Sequence, residues 1–141
     1  MQQLVEFIGN HPYLATIWMV LFSLLIYSFV VSIFSPLKEI TTHEVTRLMN
    51  KEDAVVLDIR ASGDYNKGHI LGAKQIPTES VNKADFSKLE KYKDKPIIVV
   101  CAMGMTAKRT GTQLLKAGFA QVSVLKGGMN TWQSEGLPIK K

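Results

Sequence analysis

The chain has 141 residues, of which 46% are hydrophobic and 21% are charged. This length accommodates one domain of ordinary size with a short additional segment, and the composition excludes a fully disordered chain. The single cysteine excludes an intramolecular disulfide and a cysteine-rich zinc site. The net charge of +5 is small, so its meaning depends on where the basic residues lie.

Residues 13–34 contain no charged side chain and are almost entirely apolar. As a helix that rises ~1.5 Å per residue, they would be about 33 Å long and could cross the ~30 Å hydrocarbon core of a bilayer. A cleaved signal peptide is the alternative, but no Lys or Arg precedes the segment and no A-x-A-like site follows it. The sequence therefore predicts a retained transmembrane helix, preceded by a short flank at residues 1–12.

The charges beside this segment predict its orientation. The flank before it carries only Glu6, whereas Lys38, Arg47 and Lys51 follow it. Because cytoplasmic flanks are enriched in Lys and Arg, we expect the N-terminus outside and the remaining chain in the cytoplasm. All 17 basic residues follow the apolar segment. The cytoplasmic leaflet attracts such residues, so the lipid bilayer explains the excess charge and no nucleic-acid partner is expected.

The remaining chain is long enough for one ordinary domain. Residues 35–39 are expected to form a linker, in which Ser35-Pro36 ends the preceding helix, and residues 40–141 the domain. A capping box at residues 41–44 predicts a helix that continues to about residue 49.

Apolar strands and helical patterns alternate along this domain. The predicted buried strands are residues 54–60, 96–101 and 122–125. The predicted helices between and after them are residues 84–91, residues 106–117 and a last helix that contains Met129 and Trp132. This alternation predicts an α/β fold in which helices flank both faces of a parallel sheet.

Cys101 is the last residue of a predicted strand, and a short loop joins it to the next helix. Ligands of open α/β sheets bind beyond the carboxyl ends of the strands. Backbone N–H groups at a helix N-terminus favour a thiolate, and Gly104 allows the loop to curl around it. A buried structural cysteine is the alternative, because free Cys behaves as a small hydrophobic residue. The position alone leaves both interpretations open.

Two groups of motifs in the domain resemble the rhodanese superfamily. The first comprises Asp58-Ile59-Arg60, Asp64-Tyr65, Gly68-His69-Ile70, Gly72-Ala73 and Ile76-Pro77. The second comprises Cys101-x-x-Gly104-x-Thr106, Gly118-Phe119, Leu125-x-Gly127-Gly128 and Trp132. The resemblance covers about residues 38–139. One membrane span ahead of one such domain is also similar to a known kind of small bacterial inner-membrane protein.

The resemblance implies a sulfurtransferase that needs neither a metal nor an organic cofactor. The thiolate of Cys101 would take a sulfane sulfur from a donor, hold it as a persulfide and pass it to a thiol or protein acceptor. The loop that would bind the transferred sulfur consists of Ala102, Met103, Gly104, Met105 and Thr106. The implied location is the cell inner membrane, with the domain in the cytoplasm.

The loop also departs from the family pattern. Many members carry a cation directly after the cysteine or at the position of Thr106, and this loop has none. An anionic donor such as thiosulfate would therefore meet backbone dipoles only. Met103 and Met105 favour an adaptable apolar contact with a protein. The alternative function is accordingly a non-catalytic binding module that docks on another membrane protein.

The resemblance gives the first group of motifs a structural role, which is assigned to Asp58, Arg60, Asp64, Gly68 and His69. Arg60 and Asp64 are expected to form an ion pair that orders the turn. His69 could serve as a base for the cysteine, but the loop dipole activates a cysteine without one. A related phosphatase would need Cys-x5-Arg, and the required position is occupied by Ala107.

Overall fold

The computed structural model describes residues 1–33 and 37–141, except for the side chains of residues 4, 5, 8 and 31–33. The chain divides into two compact units, Met1–Ser35 and Pro36–Lys141. The predicted helix end at Ser35-Pro36 lies outside the described residues.

The first unit consists of two helices, α1 (Gln2–Asn10) and α2 (Pro12–Ile33). Pro12 suits the first position of α2, because a first-turn residue needs no N–H donor within the helix. The segment Pro12–Val30 has a mean hydropathy of 2.0, and none of it is buried. By length and composition α2 is therefore compatible with a single-pass membrane anchor. No pattern in residues 1–12 predicts a helix there, yet the nine residues of α1 are helical.

The second unit contains a five-stranded parallel sheet and a two-stranded antiparallel sheet. Its strands are β1 (Lys38–Ile40), β2 (Val55–Asp58), β3 (His69–Ile70), β4 (Lys74–Gln75), β5 (Ile97–Val100), β6 (Val122–Leu125) and β7 (Ile139–Lys140). Its helices are α3 (Thr42–Lys51), α4 (Ser62–Lys67), α5 (Thr78–Asn82), a 3₁₀ helix (Ser87–Tyr92), α6 (Met105–Lys116) and α7 (Gly128–Ser134). The large sheet has the order β1-β6-β5-β2-β4, and β3 pairs with β7.

Apolar side chains cover both faces of the large sheet. Alternate residues of β5 belong to two separate core clusters, Ile97 and Val99 to one and Ile98 and Val100 to the other. The first cluster includes Phe86, Leu89 and Leu114 from the 3₁₀ helix region and α6. The second includes Val45, Met129 and Trp132 from α3 and α7. The predicted fold class, a parallel sheet with helices on both faces, is confirmed.

The predicted elements differ from the observed ones mainly at their ends. The strand at residues 122–125 is correct, whereas the strand predicted at 54–60 ends at Asp58 and the helix predicted at 84–91 is the 3₁₀ helix. Residues 38 and 39 were assigned to a linker, but they pair with Ser123 and Val124 in the sheet. Both side chains are exposed, so no apolar pattern marks β1 in the sequence.

Candidate active site

Cys101 directly follows β5 at the carboxyl edge of the parallel sheet. Asp58, the last residue of β2, is paired with Val100 of β5, so the segments after both strands leave the sheet at the same edge. Only 6% of Cys101 is exposed. The strand register thus brings the segment after Asp58 and the loop after Cys101 to the same side of the domain.

Gly104 determines the shape of the loop around the sulfur atom. Its N–H donates a hydrogen bond to the Sγ atom of Cys101, with a nitrogen–sulfur distance of 2.9 Å. Gly104 is the N-cap of α6 and has a φ of +96°, a conformation that L side chains rarely adopt. A Cβ atom at this position would also lie 3.3 Å from the Gly127 nitrogen. Glycine is therefore required both for the backbone conformation and for the close contact.

The beginning of α7 holds the loop from the other side. The N–H groups of Met129 and Asn130 donate to the carbonyl oxygens of Cys101 and Ala102, at 2.8 and 3.0 Å. Gly128 is buried with a φ of +59°, and a Cβ atom there would overlap the backbone carbonyls of the same two residues. The structural role of α7 was not predicted, although the Gly-Gly pair before a helix was a visible signal.

The outer surface of the loop is apolar and exposed. The exposed fractions of Met103 and Met105 are 65% and 80%. Lys108, in the first turns of α6, forms an ion pair with Glu39 of β1 at 2.6 Å. The nearest cation of the helix is therefore directed to the sheet edge, and the exposed residues of the loop are Ala102, Met103, Met105 and Thr106.

The turn after β2 is ordered by Asp58 and Arg60, and the predicted pairing of Arg60 with Asp64 is wrong. The Arg60 guanidinium donates to both carboxylate oxygens of Asp58, at 2.6 to 3.1 Å, and to the Gly68 carbonyl at 2.8 Å. Asp58 is 1% exposed. Asp64 instead forms an exposed pair with Lys67 on α4. Arg60 pairs with the buried carboxylate of Asp58 because a bidentate ion pair shielded from water is stronger than an ion pair across an exposed turn.

His69 is engaged within the same turn. Its ring stacks on the ring of Tyr65 with centroids 3.8 Å apart, and its Nδ1 lies 2.9 Å from the Tyr65 carbonyl oxygen. A carbonyl oxygen only accepts, so Nδ1 carries the proton. The Tyr65 hydroxyl donates to the Ala73 carbonyl at 2.7 Å. The His69 side chain thus links α4 to the start of β3.

A cavity of about 390 Å³ adjoins the cysteine loop. Ala102, the turn after β2, α4 and α7 line it, and its polar side chains are those of Arg60, Asp64, Lys67, Asn130 and Gln133. Sequence reasoning missed Lys67, Asn130 and Gln133, because nothing in their spacing distinguishes them from solvated helix residues. Within the described residues, no three His, Cys, Asp or Glu side chains come together as a metal site.

Comparison with known proteins identifies the family. The model of the rhodanese-like domain matches residues 41–135. The chain belongs to the rhodanese-like domain family. It is 44% identical over 139 residues to the uncharacterized protein YibN of Escherichia coli (strain K12), with 99% of this chain and 97% of YibN covered. The resemblance inferred from the two motif groups is thus confirmed.

Two further rhodanese relatives cover the domain on its own. The thiosulfate sulfurtransferase GlpE of Pseudoalteromonas translucida (strain TAC 125) is 36% identical over 97 residues, which are 69% of this chain and 90% of GlpE. The crystal structure of a rhodanese-related protein from Thermoplasma volcanium aligns with a TM-score of 0.63 and 27% identity, over 73% of this chain and 97% of the other. Rhodanese-like domains of this size therefore exist as independent chains.

Proposed function

We propose that this protein is a sulfurtransferase that carries sulfane sulfur as a persulfide on Cys101. The observation that carries the proposal is the hydrogen bond from the Gly104 N–H to the Cys101 Sγ atom, at the N-terminus of α6. An N–H donor directed at sulfur stabilises the negative charge of a thiolate, which is the attacking form of the cysteine. Family membership and the likeness to a thiosulfate sulfurtransferase support the same chemistry.

The transfer proceeds in two balanced steps. The Cys101 thiolate attacks the sulfane sulfur of a donor, so that a sulfur–sulfur bond forms and the donor's remaining part leaves with the electron pair. An acceptor thiolate then attacks the outer sulfur of the persulfide, and Cys101 leaves as a thiolate. No net oxidant or reductant is consumed, because the sulfane sulfur keeps its oxidation state when it passes from donor to acceptor.

The residues around Cys101 divide into two proposed groups. Ala102, Met103, Gly104, Met105 and Thr106 form the cradle, whose amide groups hold the transferred sulfur. Asp58, Arg60, Asp64, Gly68 and His69 belong to the turn beside it and position that part of the carboxyl edge. The bidentate contact between Asp58 and Arg60 supports a positioning role, since an unpaired buried charge would destabilise the turn.

The loop favours a donor other than a small inorganic anion. No side-chain cation belongs to residues 102–106, and Lys108 is paired with Glu39. Within the loop itself thiosulfate would meet only backbone dipoles, and the two cations of the adjoining cavity, Arg60 and Lys67, are already paired with Asp58 and Asp64. We therefore expect thiosulfate to load Cys101 more slowly than an organic persulfide does. The exposed Met103 and Met105 also support the second candidate function, a binding module that docks on a membrane protein.

Intact-mass measurement distinguishes the two functions. A fragment of residues 36–141 is incubated with thiosulfate or with an organic persulfide, and Cys101→Ser serves as the control. We expect one added sulfur atom that requires Cys101, survives removal of the donor and leaves on treatment with cyanide. A folded fragment that gains no sulfur from either donor would contradict the transferase and favour the binding module.

We also propose that α2 anchors the protein in the cell inner membrane. In this proposal residues 13–34 cross the bilayer, the flank at residues 1–12 lies outside, and the domain, which begins with β1 at Lys38, lies in the cytoplasm after a connection at residues 35–37. The length and mean hydropathy of α2 support the span. The basic residues that follow it, beginning with Lys38, support the orientation.

A further inference from the structure

A basic groove lies at the end of the sheet opposite Cys101. It forms where β1 and β6 begin, beside α3 and the residue that precedes β5, and its volume is about 320 Å³. We call it the amino-end groove. Its polar lining residues are Lys38, Glu44, Arg47, Gln121 and Ser123, and its apolar ones are Ile40, Leu48, Pro96, Ala120 and Val122. All five strands of the large sheet are parallel, so the beginnings of β1 and β6 and the cysteine loop lie at opposite ends.

The two cations of the groove are available to an external anion. Lys38 and Arg47 are both exposed, and within residues 1–33 and 37–141 neither forms an ion pair. The groove also contains one carboxylate, that of Glu44. Its Oε2 atom already accepts from the Thr41 N–H at 2.8 Å and from the Thr41 hydroxyl at 3.1 Å. The lining therefore carries two cations and one carboxylate, and the Oε2 atom of that carboxylate already accepts hydrogen bonds at the N-cap of α3.

The neutral residues of the groove suit a phosphate group. Ser123 supplies a hydroxyl donor and Gln121 an amide donor beside the two cations. Arg presents a planar fork of donors that matches phosphate oxygens, and Lys supplies a point charge. A volume of about 320 Å³ accommodates a phosphate with a small polar substituent. The chemistry of the groove thus favours a phosphate monoanion over an apolar peptide segment.

Chain connectivity indicates where such a phosphate comes from. Residues 34–37 alone separate Ile33, the last residue of α2, from Lys38, the first residue of β1. Because α2 and the second unit belong to one chain, the proposed anchor holds the second unit at a membrane surface. The cytoplasmic leaflet of a cell membrane is rich in anionic lipids, which attract basic residues near the surface.

We propose that the amino-end groove binds the phosphate of an anionic phospholipid headgroup. The proposal rests on the membrane anchor proposed above, but not on sulfur transfer. When the groove is occupied, the amino ends of β1 and β6 face the bilayer, and the cysteine loop at the opposite end of the sheet faces the cytoplasm. The exposed Met103 and Met105 beside Cys101 then face a soluble donor or acceptor while the protein remains at the membrane.

Vesicle sedimentation tests the groove without the contribution of α2. Both core clusters lie within the second unit, and an independent relative corresponds to that unit, so we expect residues 36–141 to fold as a fragment. The fragment is mixed with vesicles of phosphatidylcholine alone, or of phosphatidylcholine and phosphatidylglycerol in a two-to-one ratio. We expect binding to the anionic vesicles only. The double variant Lys38→Gln/Arg47→Gln should bind roughly 25-fold more weakly, about fivefold for each cation removed.

The matched control removes two cations from the opposite end of the sheet. Lys67 lines the cavity beside Ala102, and Lys126 directly follows β6, so Lys67→Gln/Lys126→Gln changes the net charge equally. We expect this control to bind the anionic vesicles within about twofold of the unchanged fragment, because its cations lie far from the lipid surface. Thermal unfolding verifies that both double variants are folded.

Two results would overturn the proposal that the amino-end groove binds a phospholipid headgroup. One is an equal loss of binding in both double variants, which would show that net charge alone attracts the fragment. The other is binding of the unchanged fragment to neutral vesicles as tightly as to anionic ones. Neither result affects the sulfur-transfer proposal, which the intact-mass measurement tests without a membrane.

Discussion

Single residues at the carboxyl edge are fixed by contacts that tolerate little change. Asp58 is buried and accepts three hydrogen bonds from the Arg60 guanidinium as well as one from the Arg60 N–H. The guanidinium also reaches the Gly68 carbonyl. Removal of either charge would leave the other buried and unpaired, which is strongly destabilising in protein interiors. These residues therefore stabilise the edge on which Cys101 lies.

Replacement of Gly104 by alanine should impair both stability and sulfur uptake. The positive φ alone is expected to lower the free energy of unfolding by about 1–3 kcal/mol. The added Cβ atom would also press on the backbone of Gly127 and shift the N–H that reaches Sγ. Urea unfolding measures the first effect, and the rate of persulfide formation by intact mass measures the second.

Gly72→Ala is the matched control for this variant. Gly72 has a φ of +80°, and a Cβ atom there would meet no atom within 4 Å. We expect it to lose stability through backbone strain while persulfide formation proceeds at the normal rate. Normal sulfur uptake by Gly104→Ala would contradict the role assigned to the Gly104 N–H.

Among the secondary-structure elements, helix α3 has an N-terminus that its own sequence specifies through a capping box. The predicted capping box is present: the Thr41 hydroxyl accepts from the Glu44 N–H, and the Glu44 carboxylate accepts from the Thr41 N–H. The backbone hydrogen bond from Thr41 is the main cause that lowers the pKa of Glu44 below 4.5, followed by that from the Thr41 hydroxyl. The carboxylate thus caps the helix in its ionised form.

The cap should make stability depend on pH in a defined direction. Because the folded pKa of Glu44 lies below its unfolded value, its contribution is fully present above about pH 4.5 and is lost as the pH falls through the folded pKa. The difference in the free energy of unfolding between the unchanged protein and Glu44→Gln should therefore shrink on acidification. Urea titrations at several pH values measure it, and a difference that grows in acid would contradict the cap.

Thr41→Ala removes the other half of the capping box. We expect the free energy of unfolding near neutral pH to fall by about 1 kcal/mol, the usual effect of losing a Thr N-cap. This variant is the companion of Glu44→Gln, because the backbone N–H of residue 41 still reaches the Glu44 carboxylate. Part of the pH dependence should consequently remain in Thr41→Ala.

For the whole molecule, the charge asymmetry around α2 predicts one topology. Before the span lies Glu6, and after it lie all basic residues of the chain. The lone cysteine makes the topology accessible to thiol labelling, because Cys101→Ser leaves a background without cysteine. In that background we expect Gln2→Cys to react with an impermeant maleimide on intact spheroplasts and Lys141→Cys to react only after lysis.

Two controls accompany the labelling. Both introduced cysteines should react after detergent treatment, and both proteins should stay in the pellet after an alkaline carbonate wash. Reaction of Lys141→Cys on intact spheroplasts would reverse the orientation. Release of the protein by carbonate would contradict the proposal that α2 spans the membrane.

Features that depend on neighbouring residues can be predicted from the sequence without a fold. The apolar segment that contains α2, the capping box of Thr41, the core of each long strand and the place of Cys101 after β5 all follow from neighbouring residues. Hydrophobic periodicity and capping act over a few residues, so they are visible without a fold. The motif spacing around Asp58 and Cys101 was enough to indicate the family.

Which side chains and strands pair with one another depends on how the domain packs and on which groups it buries. Lys38 and Glu39 are exposed but belong to a strand, because β6 lies beside them. Arg60 forms its ion pair with the buried Asp58, whereas the exposed Asp64 pairs with Lys67. Likewise, the N–H groups at the start of α7 donate to the cysteine loop because α7 follows β6 and begins at the carboxyl edge of the sheet, where the loop lies. Each of these contacts depends on the packing of separate segments, which single-residue patterns do not encode.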